Sequence, residues 1–212
     1  MNDDLHIDLG ESTTKPPAQL RRPCEPEFVV DRVGSGEPEE PEVYLSVGAV
    51  EKLLAHLKQE SHHEIGGLLC GHAAEDFGGR FVTITGAIAA TQAHGERLCV
   101  TFTHEAWDEL LAGKEREYPS EDVVGWYHTH PGLGVFLSEP DRFIQSSFFS
   151  EPTEIALVID PKSFAWAVFH WHGEELRAVR RYFLYGRAED RLPGLEQLLE
   201  EYAGTISRSP GT

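Results

Sequence analysis

The sequence has little of what marks several common protein classes. It has three cysteines in 212 residues, Cys24, Cys70 and Cys99. The count is odd and no CxxC pair occurs, which argues against a disulfide framework and against a cysteine-rich zinc site. Cys70 lies in the apolar run Ile65–Cys70 and Cys99 beside Val100, so both read as small buried hydrophobes. Basic residues are scarce: 18 Lys and Arg face 36 Asp and Glu, a net charge of −18. So acidic a chain does not gather phosphate backbones, and neither nucleic acid nor an anionic membrane is expected as a partner. No apolar run approaches the ~20 residues that a membrane helix needs. The N-terminus, MNDDLHIDLGESTTK, has neither the basic nor the apolar region of a secretory signal. A cytoplasmic, reducing location is the expectation.

What is present suffices for one domain with tails. The chain is 40% apolar and 10% aromatic. Residues 1–42 concentrate acid, with 11 Asp and Glu against 4 Lys and Arg. Residues 1–40 carry repeated Pro, Glu, Asp and Gly, and such composition buries too little apolar area to offset its ordering entropy. They are expected to form an acidic, mostly disordered arm, dispensable for catalysis, in which only Phe28-Val29-Val30 docks as a short strand. A catalytic domain is expected over 41–186, followed by a helix and loose tail over 187–212.

Within that domain Val43–Leu45 reads as a strand. Ser46 caps a helix to about Ser61, with Val50, Leu53, Leu54 and Leu57 at helical spacing. Strands are expected at Ile65–His72, Arg80–Ala89, Leu98–Thr103, Val123–Tyr127, Glu154–Asp160, Ala165–Trp171 and Leu176–Tyr185, the last three as antiparallel neighbours. Helices are expected from His104 to about Arg116, from Pro140 to about Phe149, and over Leu192–Tyr202. About eight strands and four helices in mixed order predict an α/β or α+β fold, with a mixed, twisted β-sheet flanked by helices.

The chemistry gathers in GWYHTHPGLGVFLSEPD, Gly125–Asp141. Residues one apart on a strand point to the same side, so His128 and His130 can reach one metal. Asp141 follows across a Gly- and Pro-rich loop. Two imidazoles and a carboxylate form the three-ligand set of catalytic zinc, with a fourth position open to water. A histidine pair before a proline is also an ordinary strand exit, so the two histidines alone do not establish a metal. His170 and His172 form a second such pair and read as strand surface. Glu64, at the edge of a buried strand, is either a solvated strand end or the base that deprotonates a metal-bound water. Ser138 reads as a helix N-cap whose hydroxyl can also donate to an oxyanion.

Glu64, His128, His130, Ser138 and Asp141 together give E…H-x-H-x7-S-x2-D, which resembles the JAMM motif of the MPN-plus metallopeptidases. GWYHTHPGLGVFLS is similar to members that remove ubiquitin or ubiquitin-like proteins, and EIGGLLCG and EIALVIDP resemble the flanking strands. The resemblance covers Val43–Tyr185. It implies an MPN/JAB-like fold of cytidine-deaminase-like architecture and one zinc per chain on His128, His130 and Asp141. Glu64 is then general base and acid, and Ser138 stabilises the oxyanion. The implied reaction is hydrolysis of an isopeptide or peptide bond after the C-terminal tail of a ubiquitin-like or sulfur-carrier protein, by Glu64-assisted attack of a zinc-bound water. The alternative is a non-catalytic, zinc-containing binding module for ubiquitin-like proteins. A zinc deaminase expects H-x-E with P-C-x-x-C, and no CxxC occurs. Two features depart from the pattern: the short span from Asp141 to Glu154 leaves little room for a long second insertion, and the acidic arm lies outside the motif. Both leave the substrate open, and the ligand set also suits other first-row ions.

Overall fold

The structure, a computed structural model, describes residues 20–24, 26–35, 41–90 and 104–187. Nine strands form one sheet: β1 (Phe28–Gly34), β2 (Glu42–Ser46), β3 (Gly66–Asp76), β4 (Gly79–Ala89), β5 (Asp122–Thr129), β6 (Ile155–Asp160), β7 (Ala165–His172), β8 (Glu175–Ala178) and β9 (Arg181–Arg187). Their order is β1-β9-β2-β4-β3-β5-β6-β7-β8. Parallel pairings join β2 to β4, β2 to β9 and β5 to β6, and the remaining neighbours are antiparallel. The sheet is therefore mixed, as expected, and three helices flank it: α1 (Val47–Gln59), α2 (His104–Glu117) and α3 (Glu139–Phe148). No helix among the described residues is long and apolar enough to cross a membrane.

The sheet is buried on both faces. In β6 every residue is buried, and the alternation sorts them: Ile155, Leu157 and Ile159 join one core, Ala156 and Val158 the other. The first core is closed by α1, whose Val50, Leu53, Leu54 and Leu57 form the expected apolar stripe. The Ser46 side chain caps that helix, accepting the Ala49 N–H at 3.0 Å. The second core holds Trp107 and Leu110 of α2, Trp126 of β5 and Ile144 of α3. Cys70 is buried in it as a free thiol, and burial pushes its pKa up to about 12.

Three sequence expectations change. Leu176–Tyr185 is not one strand. It splits at Val179-Arg180 into β8, which pairs with β7, and β9, which crosses to lie between β1 and β2. No glycine or proline stands at the break, so composition carried no mark of a change of neighbour. His170 is not surface: it is 2% exposed, whereas His172 is exposed. Phe28-Val29-Val30 does dock as a strand, but a longer one that pairs along its whole length with β9. Arg22, upstream of it, donates to Gly79 O at 2.9 Å, pairs with Glu42 and Asp76 at 3.5 and 3.3 Å, and lies over the Phe81 ring. The sheet thus takes in part of the segment before residue 41. The expected strand at Leu98–Thr103, the terminal helix at Leu192–Tyr202, and Cys99 fall outside the described residues.

Candidate active site

The centre forms where β5 ends. His128 is the penultimate residue of β5, and His130 prolongs the strand by donating its N–H to Ile159 O of β6 at 2.8 Å. Period two then puts both rings on the face of the second core. Trp126, two residues earlier, stacks on His128 with ring centres 4.4 Å apart. Trp126 is itself fixed by an indole N–H donated at 2.7 Å to the buried Gln145 amide oxygen on α3. The His128 ring is 1% exposed and the His130 ring 3%.

Asp141 arrives on the first turn of α3. Ser138 caps that helix in a reciprocal capping box: the Asp141 N–H donates to Ser138 Oγ at 3.3 Å, and the Ser138 N–H donates to Asp141 Oδ2 at 2.7 Å. This turns the carboxylate back toward the histidines. Asp141 Oδ1 lies 3.3 Å from His128 Nε2, and Oδ2 lies 3.4 Å from His130 Nε2.

Glu64, 64 residues before His128, is brought in by the residue between the histidines. Thr129 points to the opposite face, where its Oγ1 accepts the Ile65 N–H at 3.0 Å and its N–H donates to Ile65 O at 2.9 Å. This two-way bond pins the segment just before β3, and Glu64 Oε1 comes to 3.9 Å from His130 Nε2. All five residues expected from the sequence therefore meet in one place. Thr129, Trp126 and Gln145 were not singled out there. The only sequence signal for Thr129 was a hydroxyl-bearing β-branched residue at the middle of the histidine pair.

Charge and burial shape the cluster. Burial pushes the His128 pKa down and favours its neutral form. Burial also pulls on His130, but the Asp141 carboxylate, with Glu64, outweighs it and raises its pKa. For Asp141, burial is outweighed by contacts with His128, His130 and Ser138, which hold it well below the usual carboxylate range. Glu64 moves the other way: burial raises it, His130 opposes, and Asp141 adds to the rise. Two carboxylates that both approach the His130 ring thus sit in environments that separate their affinities for a proton.

The donor set fits a divalent metal. One ligand atom from each of His128, His130 and Asp141 lies within 4.8 Å of the others. Both ring nitrogens of the buried His128 lack a hydrogen-bond partner among the described residues. Asp141 turns one carboxylate oxygen to each imidazole, Oδ1 to His128 and Oδ2 to His130, so its carboxylate faces both rings.

The comparisons with known proteins agree with this reading. The family described as JAB1/Mov34/MPN/PAD-1 ubiquitin protease matches residues 39–152. The 26S proteasome regulatory subunit rpn11 of Schizosaccharomyces pombe is 36% identical over 121 residues, 56% of this chain and 38% of that protein. The ubiquitin carboxyl-terminal hydrolase RPN11 of Saccharomyces cerevisiae is 33% identical over 125 residues, 56% of this chain and 38% of that protein. The COP9 signalosome complex subunit 5 of Caenorhabditis elegans is 33% identical over 125 residues, 57% of this chain and 32% of that protein. The match thus spans well under half the length of these relatives. A family match over more than half the chain, on residues that contain the centre just described, settles membership: the protein belongs to the JAB1/Mov34/MPN/PAD-1 ubiquitin protease family.

Proposed function

We propose that this chain is a zinc-dependent metallopeptidase that hydrolyses an isopeptide or peptide bond after the C-terminal tail of a ubiquitin-like or sulfur-carrier protein. The observation that carries it is the meeting of His128, His130 and Asp141 with Glu64 3.9 Å from His130 Nε2. A carboxylate beside the three candidate ligands and outside their set is placed to take a proton from a coordinated water. The relative named as a ubiquitin carboxyl-terminal hydrolase supports the substrate class.

His128, His130 and Asp141 would hold one zinc per chain. When bound, zinc supplies Lewis acidity, lowering the pKa of a coordinated water from ~15.7 toward ~7 and polarising a carbonyl. The chain's own groups do the rest. Glu64, its proton affinity raised by burial, takes the proton of the attacking water and hands it to the leaving amine. Ser138 accepts the Asp141 N–H, which leaves its own hydroxyl proton free to donate to an oxyanion. Phe136, 45% exposed and 4.7 Å from the His130 ring, flanks the centre and limits water beside it. The buried, high-pKa Cys70 thiol plays no part, and a reducing cytoplasm suits it.

Purified protein is expected to carry about one zinc per chain and to cleave a member of a panel of ubiquitin-like fusions and conjugates. Glu64→Gln is expected to keep the zinc and lose turnover by at least ~10²-fold, the lower end of a general base's contribution. Full activity in that variant would sink the mechanism. Zinc binding by wild type without turnover across the panel would favour the binding module instead.

A further inference from the structure

The loop that joins His130 to Ser138 is held from below by a residue outside the five-residue motif. Asp160 ends β6, one residue beyond the carbonyl that receives the His130 N–H. It is 3% exposed, yet its carboxylate is fully used. Oδ1 accepts the Gly132 N–H at 2.8 Å and the Lys162 N–H at 2.9 Å. Oδ2 accepts the Gly134 N–H at 3.2 Å and the Ser163 hydroxyl at 2.7 Å. Two bonds go to the site loop and two to the turn between β6 and β7. Burial alone would raise the Asp160 pKa, but the Gly132 amide, the Ser163 hydroxyl and the Lys162 amide hold it below its ordinary value. The carboxylate is therefore charged at neutral pH, and charged acceptors make the stronger hydrogen bonds.

The loop is shaped for this grip. Gly132 and Gly134 have φ of +76° and +83°, a region that L side chains avoid. With both residues left-handed, their N–H groups turn toward one buried anion, as in backbone anion nests. Between them Leu133 donates its N–H back to His130 O at 3.1 Å. Beyond them the chain reaches Phe136 on the His130 ring and then the Ser138–Asp141 capping box. The loop carries none of the three candidate ligands, and its shape, together with the packing of α3 through Ile144 and Gln145, sets how far Asp141 and Ser138 stand from the histidines.

We propose that Asp160 is a positioning residue of the centre: its carboxylate ties the Gly132–Gly134 loop to the β6–β7 turn and so sets the distance between the two histidines and the Ser138–Asp141 pair. The inference rests on the metallopeptidase reading for its effect on turnover, but not for its effect on metal binding. Asparagine is the sharpest variant. It keeps the shape, offers one acceptor oxygen in place of two, and turns an NH2 group toward donors that need an acceptor.

The experiment compares wild type with Asp160→Asn and Ser163→Ala, both below the thermal midpoint of the zinc-free proteins. Zinc affinity is read by competition with a chromophoric chelator, and kcat and KM on whichever fusion wild type cleaves. Asp160→Asn is expected to lose ~10–100-fold in zinc affinity, the range for groups that orient ligands from outside. Its kcat at saturating zinc should fall while KM stays within ~2-fold. Ser163→Ala leaves both loop bonds in place and should keep wild-type affinity. A folded Asp160→Asn protein with unchanged zinc affinity would overturn the proposal. If that variant does not fold, amide exchange in wild type decides. Gly132 and Gly134 amides protected ~100-fold or more support the anchor, and exchange at open-loop rates removes it. Should wild type bind zinc and cleave nothing, the functional reading fails, and the zinc affinity of Asp160→Asn still decides this one.

Discussion

Ser138 caps α3, and in the proposed mechanism the same oxygen serves the oxyanion. Its Oγ accepts the Asp141 N–H at the start of α3 and its hydroxyl proton remains available to a substrate oxygen. The roles separate by substitution. Ser138→Ala is expected to cost ~0.5–2 kcal/mol of stability, the range for a lost N-cap, and ~10²–10³ in kcat, the range for a lost oxyanion donor. Ser138→Asn should restore the cap and most of the melting temperature without restoring kcat. Thermal melts and steady-state kinetics on the three proteins check this, and a Ser138→Ala protein with wild-type kcat removes the oxyanion role. His128, His130, Ser138 and Asp141 were legible from the sequence because local rules place them: period two on a strand, a cap and an acid at a helix start. Glu64 was a named candidate, but local spacing could not place it beside the others, because it is far away in the chain. Its place depends on the Thr129–Ile65 pair, a contact between strands that no local pattern announces. Asp160 was invisible for another reason. An acid at a strand end is ordinary, and only the two left-handed glycines facing it give it a task.

At the scale of elements, helices and strand cores followed the apolar periodicity closely, and the errors fell on partners. Leu176–Tyr185 has the composition of one strand, yet β8 and β9 serve distant parts of the sheet. The β3 strand runs on to Asp76, past the expected end at His72. On β3, His72 faces the turn that leads into β5. Its Nε2 lies 2.9 Å from Glu121 Oε2, and its Nδ1 lies 3.8 Å from Asp122 Oδ2. The Glu121 hydrogen bond, opposed by burial and aided by Asp122, raises the His72 pKa above 6.5. The reciprocal bond, opposed by burial, lowers Glu121 below 4.5. The signs follow from linkage. The His72 contribution is fully present below 6.5 and is lost as pH rises through the raised folded value. That of Glu121 is present above 4.5 and is lost as pH falls through its depressed value. The pair therefore stabilises most between these limits. His72→Gln should flatten the fall in melting temperature from about pH 6 to about pH 9 relative to wild type. An identical slope in the two proteins would show that the pair does not couple to folding.

For the whole molecule the N-terminal segment matters more than its composition implied. The Pro- and Glu-rich composition predicted an arm dispensable for catalysis with one short docked strand; that strand runs over Phe28–Gly34 along β9, and Arg22 joins Glu42, Asp76 and Phe81. The apolar Phe28-Val29-Val30 was legible, but the charged Asp31 and Arg32 that continue the strand to Gly34 were not. Deleting residues 1–35 is expected to lower the melting temperature by several degrees, since a lost strand costs more than ~1 kcal/mol and each kcal/mol shifts a domain of this size by ~2–4 °C. Deleting residues 1–19 removes none of these contacts and should leave the melt unchanged. Calorimetry on the two truncations separates them.

The position of β9 has a consequence in time. Among the described residues it is the last strand, yet it lies between β1 and β2, the two earliest, and β1 pairs with nothing else in the sheet. During synthesis the strands that frame the metal cluster, β3 to β6, are all made before Arg181 leaves the ribosome. The first strand waits for the last one through more than 140 residues of elongation, at ~5–20 residues per second. For those seconds β1 and one side of β2 are open edges, and such edges pair readily with other chains. The nascent protein thus passes through an interval in which the half that holds His128, His130 and Asp141 is already made and the opposite margin is unsealed. Arg32 and Asp31, charged and exposed on that waiting strand, stand where an unsealed edge needs protection.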